Sequence, residues 1–409
     1  MNRQLRTVSP RRPRRVAVLV DPGDSWGRGV IRGITSAVDS GLNWELLLDP
    51  RDDEWRYRVP RNWQGDGIIA AVRDEQTARH LREQNVPGIS VTLHENPREE
   101  RYLVITDDRQ RAELAFAHFQ DRGFEHFAYY GPPSLRYTRI RGEHFRDVLA
   151  EAGLDCHLFR GLVRPRNPYA LQQQTAKWLK RLPRPLAVFA ADPYPALQLS
   201  AICKQEGFRI PEEIAILSGD TDDLMCEVAV PPLSSIILAS EQLGAESVHL
   251  LARLMDGEPI PAAKIEIPPL GIRQRHSTDV IAVDDTQFAH ALQFIRMHAH
   301  LGIQVKDVLK TVPVSRRWLE QKFRQILNRS PADEIRRMKL EQVKRLLMAT
   351  DLSLDEIAVA SGYSSASRLS FLFRQATHQT PMTYRKTHRS NLFEGRFSSL
   401  PDKTRKDRQ

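Results

Sequence analysis

Two helix-turn-helix patterns stand in tandem in the last third of this chain, separated by one long amphipathic segment. No other feature restricts the possible folds as much. The second pattern is the clearer. Leu354, Ile357 and Ala358 fall at i, i+3 and i+4, the inner stripe of a short helix. Gly362 sits where the chain must turn sharply, and glycine alone adopts φ > 0 there at little cost. A second stripe, Leu369, Leu372 and Phe373, packs the next helix (Ala366 to Gln375) back onto the first. Ser367, Arg368, Ser370, Phe371 and Arg374 are left facing outward, on a helix of a size suited to a DNA major groove.

The first pattern repeats this plan about 50 residues upstream. Val305, Val308, Leu309 and Val312 form the supporting helix, and Pro313-Val314-Ser315 is the turn, with Ser315 as N-cap. Leu319, Phe323 and Ile326 face inward on the following helix, and Arg316, Arg317, Glu320, Gln321 and Arg324 face outward. Between the copies, Ser330-Pro331 starts a helix to Met348, with Ile335, Met338, Val343 and Leu347 inward. An ordinary helical bundle with a solvated charged face is the bland alternative, and the recurring turn signature with the same basic outer face weighs against it.

The region Met297 to Arg389 resembles the DNA-binding domain of the AraC family of transcription regulators, including the closing Thr380-Pro381-Met382-Thr383-Tyr384-Arg385. The resemblance implies that both recognition helices enter successive major grooves on one face of DNA. By position it implies base reading by Arg317, Glu320 and Gln321 in the first helix and by Ser367, Arg368, Ser370 and Phe371 in the second. Arg368 stands where that family often has an aromatic or small polar residue, so it either reads a guanine or holds a phosphate. Arg316, Arg324, Arg374 and the Arg385-Lys386 pair are the expected phosphate contacts.

Charge divides the 409 residues in the same way. The net charge is +9, yet residues 1–15 hold six arginines and no acid, residues 286–409 hold 23 basic and 11 acidic residues, and the stretch between holds 31 basic and 40 acidic. The acidic middle is a poor DNA surface, and the basic ends are good ones. Three cysteines, Cys156, Cys203 and Cys226, form no C-x-x-C pair, so neither a zinc ribbon nor a disulfide scaffold is expected, and buried thiols in a reducing cytosol are. Val16 to Val20 is too short for a signal segment, and no long apolar stretch occurs, so a cytoplasmic protein with no membrane partner is expected.

Through residue 285, short apolar runs alternate with helical patterns. Strands are expected at Arg15–Val20, Trp44–Leu48, Gly67–Ala71, Pro87–Val91, His126–Tyr130, Leu186–Ala190 and Ile214–Ser218, with helices near Val30–Val38 and Thr77–Gln84. Such alternation gives doubly wound parallel sheets, and the length calls for two lobes with a cleft. Ligands in such sheets bind beyond the C-terminal ends of the strands, which are here Asp21 to Arg28, Asp107-Asp108, Arg141, Asp192 and Asp220. Carboxylates and guanidinium groups of this kind suit vicinal hydroxyls. Each single Asp can instead cap the next helix, and for Asp107 and Asp192 the two readings stand level.

The segment order resembles the LacI-type sugar sensors of the type I periplasmic-binding-protein fold. The resemblance is carried by Gly65-Asp66-Gly67-Ile68-Ile69, Phe189-Ala190-Ala191-Asp192, Ile210-Pro211-Glu212-Glu213, Ser218-Gly219-Asp220-Thr221-Asp222 and Pro231 to Ile236. Such a sensor placed before an AraC-type domain is similar to the xylose operon regulators (XylR). The implied fold is an α/β two-lobed periplasmic-binding-protein-like (type I) sensor plus an all-α domain with two helix-turn-helix motifs. The expected divisions are a basic disordered tail (1–15), the sensor (16–280), a linker (281–288), the DNA-binding domain (289–389) and a second basic disordered tail (390–409). By position Arg141, Asp192 and Asp220 would bind the sugar, with Ser25, Trp26 and Arg28 completing the site. Trp26 either stacks on a sugar face or packs between lobes. Ala191 replaces the usual asparagine, which removes one sugar contact, so the sugar need not be xylose.

The function implied is a ligand-controlled transcription regulator, an activator by family tendency, acting as a homodimer on repeated DNA half-sites, with a pentose or related sugar as effector and RNA polymerase as a further partner. The alternative is a regulator answering a non-sugar molecule or none. No cofactor or metal is expected. Enzymatic activity is not expected either. DNA-repair alkyltransferases carry AraC-like domains and an activated cysteine, but Cys156-His157 has strand-adjacent side chains on opposite faces. No P-loop, H-E-x-x-H or G-x-S-x-G motif is present. A transport-type binding protein would need the lobes but not the basic helical end.

Overall fold

Parallel strands dominate the first 280 residues. The computed structural model describes residues 12–72, 75–93, 102–132, 135–161, 168–280 and 285–385. In chain order the first part runs β1 (Arg14–Leu19), α1 (Ser25–Asp39), β2 (Trp44–Leu48), β3 (Gly67–Ala70), α2 (Glu75–Glu83), β4 (Gly88–Ser90), β5 (Tyr102–Thr106), α3 (Asp108–Gln120), β6 (His126–Tyr130), α4 (Arg136–Glu151), β7 (Cys156–Leu158) and α5 (Pro168–Lys180). It continues with β8 (Leu186–Ala190), α6 (Pro193–Gln205), β9 (Ile214–Ser218), α7 (Asp223–Val228), β10 (Ser234–Ile237), α8 (Ser240–Met255), β11 (Ala263–Ile267) and β12 (Gly271–Arg273).

Two six-stranded sheets result, in the orders β11-β5-β4-β3-β1-β2 and β12-β10-β9-β8-β6-β7. All their pairings are parallel except β10 with β12. The chain passes between the lobes at β5–α3, β10–α8 and β11–β12, so neither lobe is a continuous piece of sequence. Strands such as Leu186–Ala190 and Ile214–Ser218 are buried along their whole length, as sheets covered by helices on both faces require. In the first lobe α1 and α8 pack almost backbone to backbone. A Cβ on Gly33 would fall on the Glu241 carbonyl, and one on Gly244 on that of Val30.

The last two residues of the stretch read as a basic tail belong to the sheet. Arg14 and Arg15 open β1, where Arg14 pairs with Asp256 at 2.5 Å and Arg15 with Glu45 at 3.1 Å. Residues 1–11, linker residues 281–284, Lys386 and the tail 390–409 lie outside the described residues.

The remaining chain, 281–409 together with 120–124, clusters as a second unit. Its elements are α9 (Thr286–His298), α10 (Val305–Thr311), α11 (Arg316–Leu327), α12 (Pro331–Ala349), α13 (Leu354–Ala360) and α14 (Ala366–Thr377). The helix α9 starts within the stretch read as linker. It supplies Phe288, Ala291, Leu292 and Ile295 to the core around Leu319 and Phe323. A second core gathers Val343, Leu347, Ile357, Ala358, Leu369, Phe373 and Tyr384. The long helix α12 contributes Ile335 to the first core and Val343 and Leu347 to the second, so it ties the two together.

Candidate functional site

Several strand ends of the sensor unit lead into a helix N-terminus, and the caps decide which carboxylates remain available. Asp24 accepts from the Gly27 N–H at 2.6 Å and starts α1, so Ser25, Trp26 and Arg28 sit on a helix rather than on a loop. Asp107 accepts from the Gln110 N–H at 2.8 Å, which is the capping role. Asp192 does not cap α6 with its side chain. It accepts instead from the Tyr137 hydroxyl at 2.9 Å. Asp222 caps α7 through Met225 and also accepts from the Ser25 hydroxyl at 2.8 Å, a bond from lobe to lobe.

A cavity of about 480 Å³ opens where these ends meet, within the range of small-molecule sites. The first lobe lines it with Asp24, Ser25, Trp26, Val72, Val91 to Leu93, Ile105 and Thr106. The second lobe adds Asp108, Leu135, Arg136, Tyr137, Arg141, Asp192 to Tyr194, Asp220 to Asp222 and Met225. Of the six residues singled out by sequence for the ligand, Ser25, Trp26, Arg141, Asp192 and Asp220 therefore come together. Trp26 is half-buried, lines the cavity and packs against the first lobe's core.

Arg28 does not join them. It is exposed, its guanidinium donates to the Pro22 and Gly23 carbonyls at 3.0 Å, and it lies 3.7 Å from Asp222. Arg28 is thus held at the start of α1 and is not among the residues that line the cavity, although its neighbours Ser25 and Asp222 are.

The charges behind the lining interlock. Arg141 donates to Asp108 at 3.2 Å and to the Ala191 carbonyl at 2.9 Å. Burial disfavours its charge, but Asp108, Tyr137 and Asp192 outweigh burial and raise its pKa. Its guanidinium lies over the Tyr137 ring at 4.7 Å. Arg111 is only 1 % exposed. Its Nε is 3.3 Å from Asp108 without hydrogen-bond geometry, and none of its three nitrogens has a hydrogen-bond partner. Burial and the like charge of Arg141 push its pKa down, against Asp108 and Asp220. For Asp220 burial also dominates and lifts the carboxyl to about 7, although Arg111 and Arg141 pull the other way. This arrangement can hold a polyhydroxylated molecule: acceptors on Asp192 and Asp220, a fixed donor on Arg141, and apolar walls from Val72, Val91 and Ile105.

In the helical unit the two helix-turn-helix copies match closely. Ser315 and Ser365 are the N-caps of α11 and α14, accepting from Trp318 and Arg368 at 3.1 and 3.2 Å. Both helices have 12 residues and end on a left-handed residue, Asn328 or His378. On α11, Arg316, Arg317, Gln321 and Arg324 are exposed, and Glu320 is half-buried with Arg316 at 3.9 Å. On α14, Ser367, Arg368, Phe371 and Arg374 are exposed, and Ser370 is half-buried. Phe371 stands 62 % exposed, with the Arg368 guanidinium 5.9 Å from its ring centre.

Comparison with known proteins follows the same division. Residues 15–105 match the XylR N-terminal domain, 116–278 a periplasmic-binding-protein-like domain and 308–387 a helix-turn-helix domain. The xylose operon regulatory protein of Escherichia coli K12 is 30 % identical over 382 residues, spanning 91 % of this chain and 96 % of that protein. The chain belongs to the xylose operon regulator family. The Haemophilus influenzae member is 28 % identical over 91 % of this chain and 98 % of its own length. Among solved structures, that of the xylose-binding transcription activator XylR superposes with a TM-score of 0.60 at 28 % identity, covering 92 % of this chain and 99 % of the other. The cellobiose complex of CelR superposes with a TM-score of 0.52 at 20 % identity, over 65 % of this chain and 85 % of that one, a likeness of fold.

Membership makes the protein a helix-turn-helix transcription regulator with a periplasmic-binding-protein-like sensor, and not an enzyme. The thiols agree with that. Burial pushes Cys156 and Cys203 up to about 12, the opposite of an activated nucleophile. Among the described residues no helix is long and apolar enough to cross a membrane. Within the xylose-regulator frame, residues that sequence reasoning had passed over are Arg111, Arg136, Tyr137 and Asp222. Tyr137 and Arg136 are one helical turn before Arg141, so the i−4 and i−5 neighbours of a chosen residue were the available signal.

Proposed function

We propose that this regulator controls a sugar-utilisation operon in response to a small sugar held between the sensor lobes by Arg141, Asp192 and Asp220, with Ser25 and Trp26 at the first-lobe wall. The observation that carries this reading is the gathering of these five residues around one 480 Å³ cavity at the C-terminal strand ends. The relatives named for the xylose operon support a pentose or related sugar. The helical unit binds operator DNA. Arg317, Glu320 and Gln321 of α11 and Ser367, Arg368, Ser370 and Phe371 of α14 read bases, while Arg316, Arg324 and Arg374 hold phosphates. The protein works in the cytoplasm as a homodimer, activates transcription, and meets RNA polymerase at the promoter. Sugar binding draws the lobes together through bonds such as Ser25 to Asp222, and the closed state alters DNA affinity.

A thermal-shift screen of the full chain against pentoses, hexoses and their acids tests the sensor reading. One compound should raise Tm in a concentration-dependent way, and Arg141→Ala should abolish the shift while leaving DNA binding intact. A shift that survives Arg141→Ala removes the cavity from the account.

A further inference from the structure

The two recognition helices carry different chemistry on their outer faces. On α11 the exposed outward residues are Arg316, Arg317, Gln321 and Arg324, and among the described residues no large apolar side chain of that helix is exposed. On α14 Phe371 is exposed, beside Ser367 and Arg368. One exposed apolar side chain is ordinary. Phe371 is not alone, however. The Arg368 guanidinium lies over its ring, 5.9 Å from the centre, and has no carboxylate partner among the described residues. On the first helix, by contrast, Arg316 lies 3.9 Å from Glu320. Arg368 and Phe371 are three residues apart within the first two turns of α14, so they share one face. That end of the helix is the one that meets base edges in helix-turn-helix complexes.

Resting on the reading of α14 as a base-reading helix, we propose that this pair recognises a T·A pair directly adjoining a G·C pair, with Phe371 against the thymine methyl and Arg368 on the guanine. The charged phosphate backbone offers a phenyl ring no matching surface. Among the base edges of the major groove, the one apolar group is the C5 methyl of thymine. A ring seated there takes its own face and the methyl out of water together. It brings Arg368 to the same depth, away from the phosphates. An arginine stacked on an aromatic ring holds its planar fork in one orientation, so less freedom is lost when two hydrogen bonds form. Guanine presents a matching pair of acceptors in that groove, O6 and N7. Neighbouring base pairs are about 3.4 Å apart along the axis, a spacing that a guanidinium and a ring centre 5.9 Å apart can straddle. Arg374, further along the helix, keeps the phosphate role. The first helix exposes no such ring, so the demand for the methyl belongs to α14.

Base replacement in a duplex that the full chain selects from a random pool tests this. The selected sequences should share a thymine adjoining a guanine. Uracil in place of that thymine removes only the methyl and should weaken binding about three- to fivefold. The base 7-deazaguanine in place of the guanine removes N7 and should cost about fivefold or more. In Phe371→Ala the uracil penalty should vanish, and in Arg368→Ala the deazaguanine penalty should vanish. Each penalty is a ratio within one protein, so a uniform loss of affinity does not mimic it. If Phe371→Ala does not fold, the wild-type uracil scan decides alone. Equal affinity for uracil and thymine at every shared position overturns the inference but leaves sequence-specific DNA binding in place, as does a uracil penalty that survives Phe371→Ala. Selection of no sequence overturns both the inference and the base-reading role of α14.

Discussion

Asp220 carries the clearest electrostatic signature in the sensor. Its pKa rises from 3.8 to about 7, because burial outweighs the attraction of Arg111 and Arg141. In the unfolded chain the group ionises near its ordinary value, so the folded state binds a proton that the unfolded state has lost. The stability this group contributes is therefore present below about pH 4 and is lost as pH rises towards about 7. Replacing it with asparagine should remove that slope. Ligand-free Asp220→Asn should match or exceed wild type in Tm at about pH 8, and the advantage should shrink towards about pH 5. A wild-type protein steadier than the variant at every pH would contradict the assignment. On the DNA side, Arg368 and Arg374 are both exposed on α14, and the proposed reading gives them different roles. Arg368→Ala should cost about 1–3 kcal/mol on the preferred duplex and relax specificity at one position. Arg374→Ala should weaken all duplexes alike and lower the salt slope by about 0.9. Competition assays on matched and mismatched duplexes at several salt concentrations separate the two. Single residues also mark the limit of what sequence reveals. Asp107 and Asp192 occupy equivalent strand-end positions, yet one caps a helix and the other receives a tyrosine hydroxyl, because Tyr137 reaches Asp192 from α4. Arg28 and Arg136 both lie in the first turn of a helix. The first turns back onto local carbonyls and the second is among the residues lining the cavity, and neither outcome follows from local pattern.

Elements were far more legible. Strands such as Leu186–Ala190 and Ile214–Ser218 coincide with their expected spans, since an unbroken apolar run between turn residues has few other uses. The helix-turn-helix boundaries were readable from caps. Ser315 and Ser330 cap their helices as expected, because a serine before an apolar stripe satisfies the first-turn N–H groups, and the structure adds a Ser353–Glu356 capping box at α13. The start of α9 escaped, since Phe288, Ala291, Leu292 and Ile295 read as an isolated stripe until the partner face of α11 is known. Gly362 behaves as expected of a sharp turn, with φ of 71°, and it also abuts the turn at Gly302. A Cβ there would sit 2.5 Å from the Gly302 nitrogen, and the Lys339 ammonium donates to the Gly362 carbonyl at 3.0 Å. Gly362→Ala should therefore destabilise the helical unit by more than the roughly 1–2 kcal/mol of left-handed strain alone. Chemical denaturation followed in that unit would register it, and an unchanged midpoint would show that the turn can relax.

At the scale of the whole molecule, the chain joins a cavity built from strand ends to a pair of groove-sized helices. Neither half explains the other's charge. The acidic stretch from residue 16 to 285 is shaped for a ligand, and the basic helices are shaped for phosphates and base edges. The account holds that ligand in the cavity changes DNA affinity, which requires a difference in ligand affinity between two states of the protein. The direct measurement is operator affinity of the full chain, on duplexes the protein itself selects from a random pool, with and without the compound that stabilises it. Wild type should change its Kd by about tenfold or more, a coupling of about 1.4 kcal/mol, while Arg141→Ala keeps its ligand-free affinity and does not respond. A compound that binds the cavity and leaves operator affinity unchanged would contradict the central claim.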